Sequence, residues 1–253
     1  MVAKLNLMLH CGAHKVGREQ VYSSPTPEGT KTWHPIPHRT LIDLVEEKLP
    51  NYDMEVVQEQ HGLMRDGSRY FGLFQIKATD GGSLTDDYGL VLGVRNSHDK
   101  SIPAGLCLGS GVFVCDNLAF SAEVVIGRRH TRYILDDLPR LIGNALGKLV
   151  QARQDQDVRI KAYKERELGD KEAAHLILKA FEHKAINQSR IAKVWEQWKT
   201  PNHPEFKERN IWSLFNGFTE AQKGLNPFEL SQRTQRLHGL MDAAANLTLQ
   251  TAC

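Results

Sequence analysis

YFGLFQIKA at residues 70–78, followed by YGLVLGV at residues 88–94, reads as two strands of one sheet. Phe71, Leu73 or Phe74, and Ile76 alternate in part with smaller or polar neighbours, which is the period of a half-buried strand. Working outward, residues 54–60 supply a partner strand, and Asp66-Gly67 marks the turn between them. Such a pair tolerates the positive φ of a tight hairpin. Asp80-Gly81-Gly82-Ser83 marks a second turn. Residues 106–108 and 112–115 are two further strands separated by Gly109-Ser110-Gly111, and residues 124–126 close the sheet. Upstream, Thr40 opens a helix that runs to Lys48, with Leu41, Leu44, Val45 and Leu49 on one face and Pro50 as its stop. Residues 10–38 read as irregular, because SSPTPEG at 23–29 is a cluster of turn formers and WHPIPH at 33–38 carries two prolines.

Beyond residue 127 the period changes from two to 3.6. Leu138, Leu141, Ile142, Ala145, Leu149 and Val150 open a long helix that continues to Tyr163, with Asp136 or Asp137 as its cap. Gly169 ends it and Asp170 caps the next. Three more helices follow, marked by Val194 and Trp198, by Leu214 and Phe218, and by Leu237 and Met241. The expected fold class is α+β: an N-terminal antiparallel or mixed sheet with one early helix, then a mostly helical half. The expected division is a sheet domain over 1–135 and a helical region over 136–253, packed on the sheet or extending from it, or forming one domain with it.

The 253 residues carry 32 Lys+Arg and 30 Asp+Glu, with 41% hydrophobic residues. Disordered and collagen-like chains are excluded by this balance. The net charge of +2 hides an asymmetry: residues 1–126 hold 11 cations and 15 anions, and residues 127–253 hold 21 and 15. Ten of the cations fall within residues 127–166. The four cysteines form no CxxC pair, and MVAKLNLMLH lacks the length of a signal h-region. A cytoplasmic location with reduced thiols is therefore expected. The apolar run 102–126 is broken by Pro103, Asp116 and Glu123, so no membrane span is expected there.

Four constellations bear on chemistry. Arg128, Arg129, Arg132, Tyr133 and Arg140, with Arg95 and Lys100 from the sheet half, are the candidate nucleic-acid-binding set. Guanidinium forks suit phosphates and a tyrosine stacks on an unpaired base, although a solvated helix face explains the same charges. His10, Cys11, His14, His34 and His38 are the residue types that hold zinc, but their spacing matches no standard finger. No cofactor is expected, with zinc as the alternative. His98, Asp99, Asp116 and Asn117 are the candidate catalytic groups of an enzymatic reading, which requires them to converge from separate segments. Gly105, Gly109 and Gly111 match neither a Walker loop nor GxGxxG and suit bulges or close packing.

Three runs carry a family resemblance: TKTWHPIPH at 30–38, NSHDKSIPAGLCLGSGVFVCDNLAF at 96–120 with RRHT at 128–131, and NIWSLFNGFTEAQK at 210–223. Together they resemble an uncharacterised phage- and plasmid-associated family with a domain of unknown function. The resemblance implies a mobile-element setting and carries over no catalytic residue. The element order in residues 40–166 is also loosely similar to the fold of single-strand annealing proteins.

The first expected function is therefore nucleic-acid binding, with single-stranded DNA binding or annealing favoured. The alternatives are a protein-interaction or anti-defence factor that blocks a host complex, and a metal- or His/Asp-dependent enzyme. A binding protein, homo-oligomeric and without a membrane partner, is favoured over an enzyme.

Overall fold

The computed structural model describes residues 14–79, 88–112, 117–127, 132–225 and 227–247. Six strands form one antiparallel sheet in sequence order: β1 His14–Val16, β2 Met54–Met64, β3 Arg69–Ala78, β4 Tyr88–Ser97, β5 Ala104–Val112 and β6 Asn117–Gly127. Each strand pairs with the next in sequence; the β2–β3 and β4–β5 registers are set by short turns, whereas β1 reaches β2 only through the helical segment between them. The β2–β3 turn has Arg65, Asp66 and Gly67 all at positive φ.

The single early helix expected from the sequence is α2, His38–Lys48, extended by a 3-10 turn over Leu49–Tyr52. The reading of residues 10–38 as irregular is corrected by β1 and by a one-turn helix α1, Arg18–Tyr22. Both are too short to show a period. The strand expected at 106–108 runs on without a break through Gly109-Ser110-Gly111 to Val112 as β5, and the rest of the strand expected at 112–115 lies outside the described residues. Gly109 is needed there because β6 bulges toward it: a Cβ on Gly109 would lie 2.1 Å from the Ala119 carbonyl oxygen. The turn expected at Asp80–Ser83 lies outside the described residues.

α3, Ile134–Glu165, follows the sheet, and then α4 Asp170–Glu182, α5 Ile191–Lys199, α6 Ile211–Gln222 and α7 Pro227–Ala244. Tyr133, rather than Asp136 or Asp137, is the N-cap of α3, and the two aspartates sit in its first turn, where they favour the dipole. Likewise Gly169 is the N-cap of α4 and Glu172 closes a bond back to its N–H at 3.0 Å.

α3 joins the two halves. Its first turns place Leu138, Ile142, Ala145 and Leu146 with Leu41, Ile42 and Val45 of α2 over Tyr70, Phe74, Leu92 and Leu106 of one sheet face. Its last turns put Ile160 and Tyr163 into the helical core around α6. The other sheet face gathers Phe71, Leu73, Val91, Cys107 and Phe120, with Leu230 of α7 against them. α7 also finishes the edge strand β6. The Thr234 hydroxyl accepts from the Phe120 N–H at 3.0 Å and donates to the Phe120 carbonyl at 3.1 Å, covering groups that an open edge would leave unpaired. Among the described residues no helix is long and apolar enough to cross a membrane.

Candidate nucleic-acid interface

Register brings the relevant segments to one end of the sheet. Arg69 lies opposite Ser97, Arg95 opposite Gly105, and Ala104 opposite Gly127. The β2–β3 turn, the β4–β5 turn and the exit from β6 therefore share that end. α2 and α3 both start there and run the same way, since the Tyr52 hydroxyl, just after α2, donates to the Gly143 carbonyl of α3. Neither helix has a side-chain cap, so both present N-terminal N–H groups and positive dipole ends toward this face.

The loop before α2 is pinned to β4 by histidines. In TKTW, the Thr30 N–H donates to the Trp33 carbonyl at 2.7 Å, and the Thr30 hydroxyl accepts from the Trp33 N–H at 3.1 Å. Pro35 and Pro37 then keep the chain extended. The Ile36 carbonyl accepts from Asn96 Nδ2 at 2.7 Å and from His98 Nε2 at 2.9 Å. His38 lies flat on His98, with ring centroids 3.9 Å apart and planes 4° from parallel. His38 Nε2 donates to the Gly67 carbonyl at 2.9 Å, and its Nδ1 accepts from Asn96 at 3.0 Å. Donation through Nε2 and acceptance through Nδ1 fix the neutral tautomer of His38. Burial, then the neighbouring His98, pushes the His38 pKa down to about 3. Burial also lowers the pKa of His98.

Behind this pair lies a relay that carries no sequence motif. Tyr70, fully buried, reaches His61 Nδ1 at 3.0 Å. His61 Nε2 is 3.3 Å from Glu59, and Arg18 is ion-paired with both Glu59 and Glu46. Gly72 makes the reach feasible, because a Cβ there would lie 2.1 Å from the Tyr70 hydroxyl oxygen. The pairing of His61 with Gly72 across β2 and β3 is a tertiary fact, and the sequence gives no local sign of it.

The pinned loop sets Trp33 beside Lys100, whose Nζ stands 4.6 Å from the ring centroid, a cation–π distance. Lys100 and Arg65 sit at φ 61° and 50° at the tips of their turns, where glycine or asparagine is the unstrained choice. Arg65 is 67% exposed along its side chain. Arg132 and Tyr133 precede α3 at the same end, Tyr133 60% exposed and 5.5 Å from the Arg132 guanidinium carbon. Asp99 tempers the charge: partial burial raises its pKa, but hydrogen bonds from Ser101 and Arg69 outweigh this and the net shift is down.

Of the expected nucleic-acid set, Lys100, Arg132 and Tyr133 are exposed at this end, and Arg95 is half-buried on the opposite face of β4 from His98. Arg128 and Arg129 lie outside the described residues. The long basic helix does not form one continuous track. Arg140 pairs with Asp137 at 2.9 Å, Arg166 with Glu172 at 2.7 Å, and Arg159 is buried against Asp242 at 2.8 Å. Of the zinc candidates, His14 is exposed on β1, His34 is half-buried in the loop and His38 has both nitrogens engaged. His10 and Cys11 lie outside the described residues. Among the described residues no three His, Cys, Asp or Glu form a group that could hold a metal. Among the described catalytic candidates, Asn117 does not converge with His98 and Asp99. Asn117 pairs with Val112 at the far end of β5 from Ala104, roughly 26 Å from the His98 end at 3.3 Å per residue, and Asp116 lies outside the described residues. The NIWSLFNGFTEAQK run is the buried helix α6, a core element rather than a site.

The chain is α+β, a six-stranded meander sheet followed by helices. The family model for a domain of unknown function, DUF932, matches residues 29–243. The chain belongs to that family. None of the curated proteins and none of the solved structures matches it.

Proposed function

We propose that this protein binds single-stranded nucleic acid at the sheet end built by the β2–β3 turn, the β4–β5 turn and the N-termini of α2 and α3. The observation that carries the reading is the Trp33–Lys100 pair, at the same sheet end as Arg65 and the Arg132–Tyr133 pair. Cations and helix N-termini would track phosphates, and Trp33 and Tyr133 would stack on unpaired bases. A single strand is favoured over a duplex because a paired base does not offer its face. Annealing of complementary strands, a cytoplasmic homo-oligomer and a phage- or plasmid-type setting belong to the full form of the proposal.

The test is fluorescence anisotropy of a labelled oligothymidylate. Binding at low salt, weakened in Trp33→Ala by about tenfold, the loss of one stacked base, supports the reading. No binding at low salt overturns it.

A further inference from the structure

Independently of the sheet end, we propose that the groove between the C-terminal end of α4 and the first half of α7 binds a nucleoside phosphate. The groove is open to solvent and has a volume of about 460 Å³, within the range of small-ligand pockets. Ile186, 1% exposed, forms its floor, and Phe181 presents a ring that is 41% exposed. An open aromatic face beside a cavity is a platform for a base.

The rest of the lining divides by chemistry. Lys184, Arg233 and Arg236 face the cavity against one carboxylate, Glu229. Glu229 pairs with Arg233 at 3.2 Å, and Arg236 donates to the Lys184 carbonyl at 3.1 Å. Both guanidinium groups are thus held at the groove, in the planar form that suits phosphate oxygens. Asn187, Gln188 and Gln232 add amides, each with donor and acceptor atoms for a base edge.

Lys184 is a second and separate pointer. It sits at φ 57° one residue past the His183 cap of α4, while the next two N–H groups, of Ala185 and Ile186, bond back to the Ala180 carbonyl at 2.8 and 3.3 Å. This is the left-handed position that helices give to glycine. A lysine there breaks the local rule and sets an ammonium on the rim of the groove.

The groove lies away from the sheet end. Thr234, on the neighbouring face of α7, bonds Phe120, which pairs with Gly109, five residues along β5 from Ala104.

The experiment is calorimetric titration of the full chain with adenosine 5′-monophosphate, inorganic phosphate, a short oligothymidylate and a Glu/Asp-rich hexapeptide. Lys184→Gly keeps the backbone favourable, so its melting temperature should equal or exceed that of the wild type. Its affinity for the nucleotide should fall about tenfold, as should that of Arg236→Gln. Phe181→Ser should weaken the nucleotide and leave inorganic phosphate unchanged. Tighter binding of the oligothymidylate, also reduced by Lys184→Gly, identifies a nucleotide within a strand as the ligand, and equal binding a free nucleotide. No heat with the nucleotide, wild-type affinity in Lys184→Gly and Arg236→Gln, or preference for the acidic hexapeptide would each overturn the proposal. Trp33→Ala should leave nucleotide affinity intact, so failure here and failure at the sheet end are told apart.

Discussion

Acidification should loosen the protein through the histidine stack, by an amount that His38 makes calculable. The folded chain holds the His38 pKa at about 3, whereas the unfolded chain restores it to about 6.5. Between these values the unfolded state binds the extra proton, so stability rises with pH and is fully present only above about 6.5. From pH 7 to pH 5 the linkage integral for this one group is about 2 kcal/mol, at 1.36 kcal/mol per unit once the unfolded histidine is protonated. His61 and His98, also lowered by burial, add slope of the same sign. The assay is urea denaturation at pH 7 and pH 5 for the wild type and His38→Gln. The variant should lose stability at pH 7, because the contacts to Gly67 and Asn96 go. Its further loss on moving to pH 5 should be smaller than that of the wild type by about 2 kcal/mol. Equal losses in the two proteins would mean that His38 titrates alike in the folded and unfolded chains and contributes no pH dependence.

Other outcomes follow from single contacts. Gly72→Ala should destabilise by about 1–3 kcal/mol, read as a lower thermal midpoint, because the added methyl meets the Tyr70 hydroxyl oxygen at 2.1 Å. Thr234→Val should cost about 1–3 kcal/mol and deprotect the Phe120 amide in hydrogen exchange, because it leaves the β6 edge unpaired. Asp242→Ala should cost about 3–5 kcal/mol in denaturant unfolding. It strips Arg159, 8% exposed, of a bidentate partner and Tyr163 of an acceptor at 2.6 Å; Asp242→Ala with Arg159→Met should recover part of the loss.

What was legible in the sequence was local. The alternation in β3, the Asp66-Gly67 turn and the apolar spacing of Leu138, Ile142 and Ala145 each follow from a short-range period, and each appears in place. In sequence a glycine at 109 reads as a break, while in the sheet it accepts the close approach of a bulged neighbour. The site was legible only in pieces. Trp33, His38, His98 and Lys100 sit in two polar runs some 60 residues apart, and nothing in either run shows that His38 stacks on His98. The same limit applies to charge. Arg159 looks like one more cation of a solvated face until Asp242, 83 residues away, pairs with it.

In the proposed binding mode, phosphates are held at the sheet end by Arg65, Lys100 and Arg132. Its most direct test is the slope of log affinity for oligothymidylate against log salt, measured for the wild type and for Lys100→Gly. Glycine relieves the positive φ of Lys100, so the fold is kept while one cation is lost. Three contacts predict a wild-type slope of about −2, and the variant should be shallower by about 0.7. A flat wild-type slope, or identical slopes in the two proteins, would rule out phosphate binding by these cations.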